Sequence, residues 1–221
     1  MNALFLGRRR KGKTTLSVFQ ALEQQKRTGR GIVVYDINSQ VKIFPDQIVY
    51  SLDELQESVD KQEEVIVYRP MNASFLPSEK NEIETDFKSF VEVIWPKTGY
   101  ILIVDEAHWL QGPGYCHNSL AGYVRMSDPF GIDLFQTAHA PADMWSRTKS
   151  LASDWYVFHL TREADLEAVE SQCGEAMREA VSHLGPHDYA HYNMDTEQFE
   201  IVNDPASWFV DINKRGELIH A

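Results

Sequence analysis

The chain has 221 residues, and its 21 lysines and arginines stand against 33 aspartates and glutamates, a formal net charge of −12. That acid excess excludes a surface that coats nucleic acid over its whole extent, and the length fits one domain, 1–221, with a sizeable core. With only Cys116 and Cys173 a disulfide framework is excluded, and no apolar run approaches the roughly 20 residues a membrane-spanning helix needs.

The expectation is a soluble, intracellular protein, so that Asn-Ala-Ser at 72–74 is a chance match to the glycosylation pattern. Charge is distributed unevenly. Residues 1–43 hold nine lysines and arginines against Glu23 and Asp36, so this segment is +7 and the remainder −19.

In chain order, the apolar run Ala3 to Leu6 predicts a strand stopped by Gly7, and Leu16, Phe19, Ala21 and Leu22 define one face of a following helix. "GIVVYDI" predicts a buried second strand ending near Asp36. Ser51 and Glu54 form a capping-box pattern that opens a short helix, and "EEVIVYRP" supplies a strand stopped by Pro70. Residues 79–95 have helical character. "GYILIVDEAH" is the strongest buried-strand signal, five apolar or aromatic residues running into two carboxylates, and a glycine-rich loop follows at Gly112 and Gly114.

"FGIDLFQTAHAP" and "SDWYVFHL" predict two more strands, "TREADLEAVESQCGEAMREAVSHL" a long helix, and "DYAHYNMDTEQFEIVND" a peripheral hairpin. The alternation implies an α/β fold with a mainly parallel central sheet and helices on both faces. Its core spans about 2–172, with a C-terminal helix and hairpin over about 173–221.

Between the first strand and helix lies Gly7-Arg8-Arg9-Arg10-Lys11-Gly12-Lys13-Thr14, which satisfies G-x-x-x-x-G-K-[ST] in the context that gives the pattern meaning. Backbone N–H groups from Gly7 to Thr15 would wrap a nucleotide's phosphates beside the positive end of the helix. Lys13 would reach the β and γ phosphates of ATP, and the Thr14 hydroxyl would ligate Mg²⁺. Such a loop calls for an acid at the end of a neighbouring buried strand. Asp105 fits that metal-holding role, and Glu106, one residue on, is placed to polarise a water for attack on the γ phosphate. "DEAH" at 105–108 also spells the signature of a helicase group, but those enzymes carry two nucleotide-binding lobes and this chain has one phosphate loop.

Taken together, these motifs resemble the FtsK/HerA superfamily of DNA-pumping ATPases, in particular the small genome-packaging ATPases of tailless, membrane-containing icosahedral viruses. The resemblance covers roughly residues 2–172 as motif order and spacing. "VVYDINSQV" is similar to that superfamily's second strand with its trailing Asp, and "GIDLFQTAHAP" to the strand that ends in a polar sensor and a proline. Aligned without a gap, His139 stands where the family usually has Gln, and Ala140 replaces a common Arg, so the sensor is His139 or Gln136. Arg10 stands in place of a third glycine and Lys11 in place of a frequent serine.

The resemblance implies a catalytic arginine delivered in trans, for which Arg125 is the candidate and Arg69 and Arg147 the reserves. It also implies Mg²⁺-dependent ATP hydrolysis that moves double-stranded DNA, self-association into a pentameric or hexameric ring, docking to a capsid vertex or viral membrane protein, and a cytoplasmic location. A basic loop at a subunit junction would meet both phosphates and a neighbour's acidic surface. Lys80, Lys88 and Lys97 are basic residues of the middle of the chain, without the aromatic interleaving of a strand-stacking groove.

A nucleotide-dependent assembly factor that moves no DNA is the alternative, and a small-molecule kinase is a third reading. Weaker constellations are His183, His187 and His191, whose helical spacing is interrupted by Gly185-Pro186, and the five tryptophans, expected in core or interface.

Overall fold

The computed structural model describes residues 1–42, 44–70, 80–95, 99–126 and 131–203. Strand β1 (Asn2–Leu6) is buried along its whole length and feeds through the glycine loop into helix α1 (Lys13–Thr28), which ends at Gly29 in the left-handed region, φ 71°. Strand β2 (Gly31–Tyr35) follows, then the short edge strand β3 (Ile48–Val49), helix α2 (Leu52–Asp60) and strand β4 (Val65–Tyr68). The predicted capping box is present at α2: Ser51 accepts from the Glu54 N–H, and the Glu54 side chain accepts from the Ser51 N–H.

Helix α3 (Lys80–Ile94) leads to β5 (Tyr100–Val104), followed by a two-strand flap, β6 (Gln111–Gly112) and β7 (Tyr115–Cys116), and helix α4 (Asn118–Met126). Then come β8 (Asp133–Ala138), α5 (Ser146–Ser150), β9 (Asp154–Phe158), α6 (Glu163–Cys173), α7 (Glu175–Ser182), β10 (Tyr189–Asn193) and β11 (Gln198–Val202). The flap, α4 and α5 have no strong periodic signature. The single long helix expected over 161–184 is broken in two, because Gly174 adopts φ 88° and ψ 167° and ends the hydrogen-bond ladder there.

Among the described residues nine strands form one sheet in the order β11-β10-β9-β1-β8-β5-β2-β4-β3. The seven from β9 to β3 are parallel, and the C-terminal hairpin extends the sheet antiparallel, β10 pairing with β9. The expected hairpin is therefore part of the sheet; residue 204, its last, lies outside the described residues, as do 72–74, Lys97 and Trp208.

Alternating side chains divide the core between two faces. Phe5, Val34, Ile103 and Phe135 pack under α1. On the opposite face Tyr35, Leu102 and Val104 pack under α2, α3 and α4, while Leu4, Leu6 and Trp155 pack under α6 and α7. Helices thus cover both faces, which is what a parallel sheet requires to bury its two apolar sides. Among the described residues no helix is long and apolar enough to cross a membrane.

Candidate functional site

Strand order brings the predicted residues together. β8 lies between β1 and β5, with Leu6 paired to Ala138 and Val104 to Gln136, so the carboxyl ends of all three open on one edge of the sheet. From β1 comes the glycine loop. Gly7 has φ 143°, and a Cβ added there would lie 2.7 Å from Phe158 Cβ, so both conformation and space demand glycine. Gly12, at φ 102°, starts α1, whose first turn has no acidic residue and no side-chain cap. Its free N–H groups leave an anion-attracting end. Arg8, Arg9 and Arg10 are exposed, Lys11 and Thr15 are half-buried, and Arg10, which by the resemblance stands where a glycine is usual, takes φ 59°.

Lys13 is 5% exposed and stretches back across the loop. Its ammonium donates to the Arg8 carbonyl at 3.1 Å and lies 3.1 Å from His139 Nδ1. Burial lowers its pKa, against the raising influence of Glu106 and Asp105. The Thr14 hydroxyl donates to Asp105 Oδ1 at 2.8 Å, so the two predicted metal ligands are already joined.

Asp105 and Glu106 are almost wholly buried. Burial pushes Asp105 up to about 6 in spite of hydrogen bonds from Thr14 and Thr137, and pushes Glu106 up to about 7, with neighbouring Asp105 adding to the rise and Lys13 and Arg9 opposing it. Glu106 sits at φ 53°, a conformation uncommon for a residue with a side chain and recurrent at functional sites. Among the described residues Asp105 Oδ2 and Glu106 Oε2 are buried and accept no hydrogen bond. An orphaned carboxylate oxygen costs free energy unless a ligand completes it, and an Asp-Thr pair with a spare oxygen suits a hard cation such as Mg²⁺.

Two further residues complete this edge without having been predicted. Thr137 donates its hydroxyl to Asp105 Oδ1 at 2.8 Å and accepts the Glu106 N–H at 2.9 Å, pinning both acids at once. His108 Nδ1 lies 3.2 Å from Glu106 Oε2. Their signals were present but mute: "QTAH" and "DEAH" contain both, and only the alignment of β5 with β8 gives them a partner.

The two sensor candidates separate. His139 touches Lys13, lies 3.2 Å from Glu106 Oε2 and 3.4 Å from Arg9 Nε, and burial pushes both His139 and His108 down to about 4. Gln136 points to the opposite face, fully buried. It accepts from Gln111 Nε2 at 2.9 Å and donates to Asn2 Oδ1 at 3.4 Å, holding the flap and β1 together. By strand alternation Gln136 is one residue out of phase with Thr137, so its side chain lies on the face away from Lys13 and Glu106.

Among the arginines, Arg69 is not available as a finger. It pairs with buried Asp36 at 2.7 Å and donates to the Val41 carbonyl, while Asp36 also accepts from the Gln40 and Val41 N–H groups, which shapes the loop after β2. Arg125, at the last turn of α4, is exposed and lies 5.7 Å above the Trp145 ring. Arg147 is exposed on α5. Lys88 pairs with Glu92 at 3.7 Å on the surface of α3. The histidine series is dispersed, with His183 capping the end of α7 and His191 on β10, 2.9 Å from Asp154. Trp155 is core, whereas Trp95 is exposed.

No family model and no curated protein matches the chain. Solved structures do. The genome packaging NTPase B204 of Sulfolobus turreted icosahedral virus 2, in complex with ATP-gammaS, is 15% identical over 90% of this chain and 94% of its own, with a TM-score of 0.70. B204 of Sulfolobus turreted icosahedral virus, a DNA-packaging ATPase, is 17% identical over 91% and 98% at 0.69. VirB4 of Thermoanaerobacter pseudethanolicus is 10% identical over 91% and 88% at 0.68. What is shared at such identities is the fold, and the chain has the P-loop NTPase fold that the FtsK/HerA resemblance leads one to expect.

Proposed function

We propose that the protein is an Mg²⁺-dependent ATPase that moves double-stranded DNA, working as a ring in which each site is completed by a neighbour. The observation that carries the hydrolytic reading is the convergence of Lys13, Thr14, Asp105 and Glu106 at the ends of three adjacent strands, with two buried carboxylate oxygens that accept no hydrogen bond among the described residues. Structures of the same fold with bound ATP analogues support nucleotide binding, and their description as packaging enzymes supports the DNA-moving part.

The loop N–H groups and Lys13 bind and orient the triphosphate. Thr14 and Asp105 would hold Mg²⁺, which supplies positive charge to the β and γ phosphates. Glu106 Oε2 takes the proton of the attacking water; a carboxylate raised to about 7 is matched to that work near neutral pH. His139, lying between Lys13 and Glu106, reports whether the lysine is engaged with phosphate. Arg125, exposed at the last turn of α4, acts on the adjacent subunit's γ phosphate.

The test is the ATPase rate against protein concentration, with and without duplex DNA. The specific rate should rise as the chain associates and rise again with DNA. A concentration-independent rate from a monomer overturns the trans arginine, and a DNA-indifferent rate favours an assembly factor. Mixing Arg125→Ala with Glu106→Gln subunits should recover part of the activity, because a junction with one intact arginine and one intact glutamate reappears.

A further inference from the structure

Glu106, His108 and His139 bring three ligand atoms within 4.8 Å of one another at the mouth of the site. Glu106 Oε2 is 3.2 Å from His108 Nδ1 and 3.2 Å from His139 Nε2. Both Glu106 Oε2 and His108 Nδ1 are buried atoms with no hydrogen-bond partner. Donors bound tetrahedrally at about 2.0–2.1 Å stand about 3.3 Å apart, so two of the three edges already have the length a zinc-sized ion imposes. The rings of His108 and His139 are tilted at 37° with centroids 5.1 Å apart, and further stacking of His108 on Trp109 fixes its direction. Two nitrogens and one oxygen suit Zn²⁺ and its transition-series neighbours, and suit Mg²⁺ poorly.

We infer that Glu106, His108 and His139 form a binding site for a divalent transition ion of the Zn²⁺ type, separate from the Thr14–Asp105 pair, and that its occupancy stops hydrolysis. The inhibitory half rests on the proposed role of Glu106: the ion takes the oxygen that would accept the water's proton. Occupancy is also coupled to Lys13. In the structure the Lys13 ammonium lies 3.1 Å from His139 Nδ1 and Arg9 Nε donates toward Nε2 at 3.4 Å, so two cations crowd the ring. An ion at Nε2 takes that lone pair and leaves the ring proton on Nδ1, so Lys13, which can only donate, must withdraw. Arg9, an exposed side chain 3.4 Å from Nε2, has to swing outward as well. Removal of the lysine ammonium therefore strengthens the site.

The experiment titrates Zn²⁺ into the nucleotide-free full chain against a competing chelating dye, with Mg²⁺ held in large excess. One ion per chain is expected. His139→Ala, and separately His108→Phe, which keeps a ring against Trp109, should each weaken binding at least about tenfold with unchanged circular dichroism. Lys13→Ala should tighten it several-fold. Substoichiometric binding by the wild type, or wild-type affinity in His108→Phe, overturns the site. Zn²⁺ should also inhibit ATP hydrolysis, reversibly with a zinc-selective chelator. Stoichiometric binding without inhibition overturns the inhibitory half and counts against Glu106 as the base, while a chain that hydrolyses no ATP at all but binds Zn²⁺ as described fails the ATPase reading alone.

Discussion

Strands β5 and β8 carry buried acids at opposite ends of the sheet, and the two sites differ in how completely those acids are partnered. Asp133, at the amino end of β8, accepts from the Met1 amino group at Oδ1 (2.8 Å) and from Gln24 (2.9 Å) and Arg30 (3.0 Å) at Oδ2. Asp105 and Glu106, beyond the carboxyl end of β5, share Thr14, Thr137 and nearby histidines, yet each keeps one buried oxygen without a hydrogen bond. Burial is comparable, 3% exposure for Asp133 against 1% and 2%. A closed set of partners makes an anchor, tying β8 to α1 and the chain start. An open set makes a site, because the missing partner has to come from a ligand.

The largest effect expected from this contrast is on turnover. Glu106→Gln should still bind Mg-ATP and hydrolyse it about 10²–10⁴ times more slowly, a barrier increase of about 3–5 kcal/mol, read from single-turnover rates. Near-normal turnover would move the base elsewhere. Lys13→Ala should weaken ATP binding at least about a hundredfold in a calorimetric titration, with the fold intact because the lysine rests on the loop and not in the core.

At the anchor the loss should appear in stability instead. Asp133→Ala leaves Gln24, Arg30 and the amino group facing a buried gap, and about 2–4 kcal/mol of unfolding free energy should disappear in denaturant melts, with ATP affinity unchanged per folded molecule. An Asp133 variant as stable as the wild type would mean that the closed set of partners is no anchor.

The open site should respond in the reverse sense. Glu106 is raised in the fold to about 7 from an ordinary value of 4.5, so the native state holds the extra proton. Stability contributed by this group is present below the unfolded value and is lost as pH rises from about 4.5 through 7, flat above. In metal-free and nucleotide-free protein, Glu106→Gln should therefore be more stable than the wild type at pH 8, by about 1–3 kcal/mol, and nearly equal at pH 4.5. An equal difference at both pH values would mean that charge burial is not the cause. Thr137→Val should be the mildest of these changes. It removes one hydroxyl that donates to Asp105 and accepts from the Glu106 N–H, and a loss of about 1–2 kcal/mol in stability with a turnover fall of about tenfold would identify it as a positioning residue.

Legibility in the sequence followed the range of the interactions. The glycine loop, "YILIVDEAH", the Ser51–Glu54 cap and the alternation of strand and helix are local patterns, and each appears where its residues put it. Gly174 was visible as a glycine, but its effect on the helix depends on a backbone angle, φ 88° and ψ 167°, that residue type alone does not dictate. The sensor choice was undecidable along the chain, since Gln136 and His139 are both polar groups near the end of one strand.

What the sequence by itself determined was therefore the chemistry available: a glycine loop of phosphate-binding pattern ahead of a helix, and two acids after a strand too apolar to be anything but buried. What only the tertiary structure decided was the partnership. Placing β8 between β1 and β5 brings Thr137 to Asp105 and His139 to both Lys13 and Glu106, contacts across 32, 126 and 33 positions of sequence. The same register turns Gln136 to the other face, and the pairing of β2 with β4 ties Arg69 to Asp36. A side chain's residue type is encoded at its own position, but the partner that fixes its proton, its orientation and its role arrives from another strand, and strand order is settled by the burial of the whole sheet.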